Sequence, residues 1–313
     1  MVDPTSRAIT DEQAVQEPKA QDAHGIAEGP ARTQWQLAWK KFRQHKLAVA
    51  SLFILVVLYL AAIFAPIVAP FDPNELDLDH VRESPSLKHP MGTDALGRDE
   101  FSRVVYGGRI SLAVGMGVAL SAGFIGTTMG ALAGFYGRWV DAVLMRTTDF
   151  FLAMPVLAVL LVAAKALGGS ITDIVVILAV LYWMPVARIV RNVFMSLKEK
   201  EYVEGARASG AGSIRIIVRH LLPNSLGPII VNVTLGIAIA ILTESLLSFL
   251  GFGIQPPTAT WGNMLSSARD SMLTQPWLVW FPGFMILLTV LCVNFLGDGL
   301  RDALDPAGHK IRT

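Results

Sequence analysis

The chain has 313 residues, 53% of them hydrophobic and 16% charged, with a positive mean hydropathy, a balance that excludes an ordinary soluble domain and points to a membrane protein. A formal net charge of +1 supplies no basic field for nucleic acid. The single cysteine, Cys292, excludes an intrachain disulfide, a CxxC redox motif and a cysteine-based metal site, and inside its apolar run it reads as a packing residue.

Residues 1–34 contain Pro4, Glu12, Glu17, Pro18, Asp22, His24 and Gly25 with almost no apolar periodicity, the composition of a disordered tail. They lack the basic, apolar, small-residue order of a secretory signal, so the tail is expected to stay attached and cytosolic. A basic segment, 35–46, follows. The uncharged run from Leu47 to Ala69 is long enough to cross about 30 Å of hydrocarbon at about 1.5 Å per residue.

Six spans are predicted in all, at about 47–69, 110–136, 143–165, 171–193, 228–250 and 276–297, within one six-span domain at 47–300. The fold class is therefore all-α, a polytopic membrane protein with six transmembrane helices and both termini on one side. The third and fourth spans are built on short apolar runs, Phe150–Ala164 and Ile174–Ala187, and need their polar flanks to cross. Pro155 and Pro185 are expected to kink them. In the second span Ala122, Gly126, Gly130 and Gly134 recur every four residues, a stripe of small side chains that lets another helix approach, read as packing within the chain's own bundle.

Lysine and arginine set the orientation. Lys40, Lys41, Arg43, Lys46, Arg138, Arg146, Arg188, Arg191, Lys198, Lys200, Arg207, Arg215, Arg219, Arg301, Lys310 and Arg312 fall on one side, which is read as the cytosol. The termini, the tail 301–313 and the connection 194–227 are then inside, and the loops 70–109 and 251–275 outside.

In the first outer loop, Gly92, Thr93, Asp94, Gly97 and Asp99 make a turn-rich stretch, and Phe101, Val104 and Val105 suggest a short amphipathic helix before the second span. His89, Asp94 and Asp99 have no fixed ligand spacing, so caps and turns are expected of them and no metal. The second outer loop carries Pro256, Pro257 and Trp261, with Trp277 just beyond, and suits a stiff aromatic surface at the membrane boundary. Asp149 and Glu244 lie near span ends, where interfacial solvation or pairing with a neighbouring helix offsets the cost of charge in a membrane.

The connection 194–227 reads as helix, glycine turn, helix. Gly210 suits the left-handed position after a helix C-terminus. Ser213 suits an N-cap, Ile214, Ile217, Val218 and Leu221 fall at i, i+3, i+4 and i+7, and Pro223 follows the second helix. Three readings compete. A DNA-reading helix-turn-helix is opposed by the tether to two spans. A connector lying on the lipid surface gives Glu204 no role. A short helix seated in a groove of a soluble partner uses both the small residues and the acid.

The spacing of Glu204, Ala206, Gly210, Leu222 and Pro223 resembles the loop signature of permeases of binding-protein-dependent ABC importers. Two positions depart from the pattern: Gly205 stands for an alanine and His220 for an isoleucine. Three further segments resemble the dipeptide, oligopeptide and nickel branch, second permease subunit. They are His89–Arg103 leading to Arg109–Leu112, then Glu244–Gly253 with Pro256-Pro257 and Trp261-Gly262, and Gly297–Pro306. Together with the coupling loop they cover about 40–306.

The resemblance implies the type I ABC importer permease fold and a transport subunit that is not an enzyme, in the bacterial inner membrane. It implies that Glu204, Gly205, Ala206, Arg207, Gly210, Leu222 and Pro223 couple to an ATPase, and that Pro256, Pro257 and Trp261 face an extracytoplasmic substrate-binding protein. Implied partners are a homologous second permease, two cytosolic ABC ATPase subunits, that binding protein and the lipid bilayer. The chain has no GxxxxGK[ST] phosphate loop, so ATP and Mg2+ belong to the ATPase subunits and this chain carries no cofactor. The implied cargo is a di- or oligopeptide, with nickel chelates or another small solute as the alternative. An ion-driven secondary transporter is the more distant rival, and would place charged or unwound elements at mid-membrane.

Overall fold

A computed structural model describes residues 34–304. The expected tails therefore fall outside the described residues, apart from Gln34 and residues 301–304, as do Lys310 and Arg312. Within them the regular structure is helical, with one isolated antiparallel bridge, Thr93 to Asp99, in the first outer loop.

The basic segment is itself a helix, α1 (Gln34–Gln44). The first span, α2 (Lys46–Ile63), starts at His45, whose Nδ1 accepts from Ala48 N–H at 3.2 Å. A single turn, α3 (Ala65–Val68), follows. The next helix, α4 (Glu100–Tyr136), has 37 residues, about 55 Å at 1.5 Å per residue and well beyond the hydrocarbon thickness. The separate outer helix expected before the second span is thus the first three turns of α4. Asp99 is the reason, because its carboxylate caps Ser102 N–H at 2.7 Å and starts the helix ten residues ahead of the uncharged run.

The third predicted span is not straight. It divides into α5 (Arg138–Ala153) and α6 (Val156–Leu167), which meet at 87°. Pro155 has no N–H to continue the ladder and holds Met154 in an extended conformation, so the break is complete. The fourth divides more gently, into α7 (Ile171–Tyr182) and α8 (Met184–Leu197) at 43°, with Pro185 in the first turn of α8. Ser170 and Asp173 form a capping box at the start of α7.

The coupling loop contributes α9 (Glu201–Ala208) and α10 (Ser213–Ile216). A π-turn (Ile217–Leu221) then runs into α11 (Leu222–Phe249), so that Ser213–Phe249 is one unbroken helical rod. The outer α12 (Trp261–Ala268) and the last span, α13 (Trp277–Leu304), complete the chain. Among the described residues four helices are long and apolar enough to cross a membrane, and up to six spans result when each bent pair counts as one.

The bundle is organised around α4. A Cβ on Gly126 would sit 2.5 Å from the Trp183 carbonyl oxygen, and one on Gly134 2.7 Å from that of Arg191, so the small-residue stripe is filled by α8 of the same chain. Val114, Val118, Leu160, Ile174, Leu178 and Leu247 form the main apolar core between α4, α6, α7 and α11. Two ion pairs tie α5 to α8. Arg188 meets Asp149 at 2.5 Å, and Arg191 grips both oxygens of Asp141, with Nη2 2.6 Å from Oδ2. Glu244 is fully buried and pairs within the bundle instead of at an interface.

Candidate coupling site

Helix α9 owes its end to Gly210. At φ +79 the glycine takes the left-handed position, Gly210 N–H donates to the Arg207 carbonyl at 2.9 Å and Ala211 N–H to the Ala206 carbonyl at 3.0 Å. This pair of bonds is a Schellman closure, and it uses both Ala206 and Gly210. Ser209 adds its hydroxyl to the Gly205 carbonyl at 2.8 Å.

One side chain anchors the helix. Val203 is fully buried in a cluster with Val190, Phe194, Ile216 and Leu221, which joins α9 to α8, α10 and the π-turn. The opposite face carries Glu201, Glu204, Gly205 and Ala208, all exposed and spaced i, i+3, i+4 and i+7. Nothing lies within 4 Å of the space a Cβ on Gly205 would fill. Two carboxylates flanking two small residues thus present a low, acidic ridge away from the bundle. Glu201, Ala208 and the anchor Val203 were not singled out from the sequence, although the helical spacing around Glu204 contains them.

The other residues expected to couple lie elsewhere. Arg207 places its guanidinium 5.9 Å above the Phe135 ring at the end of α4, a cation–π contact inside the chain. Leu222 packs against the Val203 cluster, and Pro223 is exposed. Pro223 does not follow the end of a helix. It lies in the first turn of α11, and the preceding π-turn absorbs its missing N–H, with Leu222 N–H bonded to the Ile217 carbonyl.

The extra residue in that turn also changes which face is buried. Leu221 and Ile217 of the expected apolar stripe pack into the cluster with Ile216, whereas Ile214 is 75% and Val218 57% exposed, so only half of the stripe is buried. Ser213 is likewise not the cap. Gly212 holds that position without a side-chain bond, and Ser213 is the first helical residue.

The loop 251–275 is a clamp. Thr260 and Asn263 form a capping box at the start of α12, and the Asn263 amide donates to the Ile254 and Thr258 carbonyls at 3.0 and 2.7 Å. Trp261, expected on a partner-facing surface, is 1% exposed, and its indole N–H donates to the Val104 carbonyl at 2.9 Å. Its size and its bond serve the core, which composition could not distinguish from an interfacial anchor. Gly262 lets α12 press on α11, where a Cβ would fall 2.6 Å from Ser245 Cα. Pro256 and Pro257, joined by a cis peptide, are the exposed part of the motif.

The first outer loop is closed by local bonds. His89 Nδ1 lies 2.9 Å from the Asp99 carboxylate that caps α4, and Asp94 holds Arg98 at 2.6 and 2.7 Å. Caps and turns are what these carboxylates make.

A helical bundle with four helices long and apolar enough to cross a membrane, and an exposed acidic helix between two of its spans, is the architecture of a polytopic membrane protein. Residues 126–309 match the family described as binding-protein-dependent transport system inner membrane component, and residues 33–90 match the N-terminal TM domain of oligopeptide transport permease C. The chain is similar to the dipeptide transport system permease protein DppC of Alkalihalophilus pseudofirmus, 44% identical over 276 residues that cover 88% of this chain and 91% of that one. It is similar also to the glutathione transport system permease protein GsiD of Pectobacterium atrosepticum, 42% identical over 283 residues, 90% and 94% of the two chains.

The chain belongs to the family of binding-protein-dependent inner-membrane transport components. It is a multi-pass permease subunit of the oligopeptide permease C type, and its role is transport, not catalysis. Membership implies partners of the ABC importer kind, an ATPase and a substrate-binding protein.

Proposed function

We propose that this permease forms half of the translocation pathway of an ATP-driven peptide importer, beside a homologous second permease, with two ATPase subunits docked from the cytosol. The observation that carries the reading is the mounting of α9. Its ridge of Glu201, Glu204, Gly205 and Ala208 is free while Val203 is locked into the cluster below. A push on the ridge reaches α8 and the Ser213–Phe249 rod through packed side chains, which transmit displacement because interiors resist compression. Both termini are cytosolic in this reading, in line with the placement of lysine and arginine. ATP and Mg2+ are bound by the ATPase subunits, and the binding protein docks at the outer face that includes Pro256 and Pro257. Peptide cargo is supported by the names of the similar dipeptide and glutathione permeases.

The test is uptake of labelled dialanine by proteoliposomes holding the whole transporter and its binding protein. Glu204→Lys reverses a charge on the ridge, and Gly210→Pro forbids the left-handed φ that closes α9. Each is expected to lower ATP-driven uptake about tenfold or more, the effect of losing about 1.4 kcal/mol of docking energy, with the chain still inserted and co-purifying with the second permease. Wild-type uptake in both variants overturns the coupling assignment. A wild-type transporter that hydrolyses ATP with its binding protein yet ignores dialanine overturns the cargo alone.

A further inference from the structure

At the cytosolic end of the bundle, α1 lies against the end of α13. Phe42 is 5% exposed and packs with Ala48 and Ala303, with Leu300 beside them. Beside that contact the same segment carries Trp39, Lys40, Arg43 and Lys46, all exposed. None of these three cations has an ion pair among the described residues. Asp302, at the end of α13, faces His45 at 3.9 Å.

Trp39 is the informative neighbour. Its indole is 58% exposed and is fixed by stacking on Phe42, with ring centroids 5.9 Å apart. A fixed, exposed indole beside three unneutralised cations suits neither water, which disfavours the ring, nor hydrocarbon, which disfavours the charges. Both are satisfied at the headgroup layer, where tryptophan concentrates and lysine and arginine reach phosphate. The position agrees with that depth. Leu47, one residue past Lys46, is 57% exposed and Phe53 69%, so the outward apolar face of the first span begins where the basic face ends.

We propose that Trp39, Lys40 and Arg43 of α1, together with Lys46 at the start of α2, bind the headgroup of an anionic phospholipid in the cytosolic leaflet. The phosphate, with no headgroup cation to neutralise it, sits among the three cations, and the Trp39 ring covers the glycerol region. This fastens the segment entering the first span to the membrane plane. It does not depend on the nature of the cargo.

The experiment uses the whole transporter in nanodiscs containing phosphatidylglycerol and phosphatidylcholine, each carrying the same photoreactive group next to the glycerol. Adducts within residues 34–47 are read by peptide mass spectrometry. Phosphatidylglycerol adducts are expected to exceed phosphatidylcholine adducts, and to fall about fivefold for each charge removed in Lys40→Gln and Arg43→Gln. Lys46 is kept in these variants so that insertion is preserved, and Arg43→Lys, which keeps the charge, must keep the labelling. Equal labelling by the two lipids, or unchanged labelling in the double variant, overturns the proposal. So does competition by soluble glycerol phosphate, which would make the site one for free anions, and so does a transporter in which a protein partner shields α1 from both lipids.

Discussion

Ser111 and Glu244, 133 positions apart, meet inside the bundle, the serine hydroxyl 3.4 Å from Glu244 Oε2. Ser248 donates to the other carboxylate oxygen at 2.8 Å and accepts from Ile254 N–H at 3.2 Å, while Ser111 accepts from Trp261 N–H at 3.3 Å. One carboxylate thereby joins α4, α11, the outer loop and α12. Glu244→Leu strands these hydroxyls and is expected to destabilise by about 1–3 kcal/mol, whereas Glu244→Gln, which keeps an acceptor, costs less. Melting of the assembled complex, followed by size exclusion after heating, gives the order wild type, Gln, Leu. Equal melting of the two variants contradicts the network.

Trp261 belongs to the same junction. Trp261→Ala removes a fully enclosed ring and its bond to Val104, for an expected loss of about 3–5 kcal/mol. Pro256→Ser, at an exposed position, is expected to leave melting within about 0.5 kcal/mol of wild type. If docking of the binding protein uses this loop, the proline variant changes binding-protein-stimulated ATP hydrolysis without changing stability. The tryptophan variant changes both.

Alanine scanning of two glycines separates packing from propensity. Gly126→Ala forces a Cβ against the Trp183 carbonyl and Val186, at 2.5 and 2.7 Å, and is expected to cost about 1–3 kcal/mol. Gly205→Ala enters open space on a helix and is expected to stabilise α9 by up to about 1 kcal/mol. Hydrogen exchange over Glu201–Ala208 reports the second effect directly, as slower exchange in the alanine variant.

The first outer loop responds to acid. His80 Nδ1 lies 2.8 Å from the Asp77 carboxylate, and this hydrogen bond holds the Asp77 carboxyl below the usual carboxylate range. Since the folded value is depressed, the contribution is complete above the unfolded aspartate value near 3.9 and is lost as pH falls through the folded value. The protection of the Leu78–His80 amides against hydrogen exchange, taken relative to the intrinsic rate at each pH, is expected to fall as the pH drops below about 4. Asp77→Asn removes that dependence.

The long uncharged runs, the glycine stripe and the left-handed Gly210 were legible because each is a local property of composition or spacing. Pro155 was legible as a kink but not as an 87° break, since the angle depends on what α5 and α6 pack against. The start of α4 was missed because Asp99 caps it ahead of a charged stretch that conceals the span. In the coupling loop, the acid and the glycine stood out. Val203 did not, because one valine in a polar octapeptide carries no signal until the cluster beneath it is seen. Trp261 misled for a related reason: aromatic residues near prolines mark membrane boundaries and buried corners alike.

The π-turn at Ile217–Leu221 sets the phase between the coupling segment and the rod below it. A chain one residue shorter there would close into ordinary α-helix, turning everything upstream by about 100° about the rod axis and drawing it about 1.5 Å along it. The cluster holding Val203 would come apart and the acidic ridge would be carried round with it. The orientation of α9 relative to the Ser213–Phe249 rod thus rests on a single surplus peptide unit.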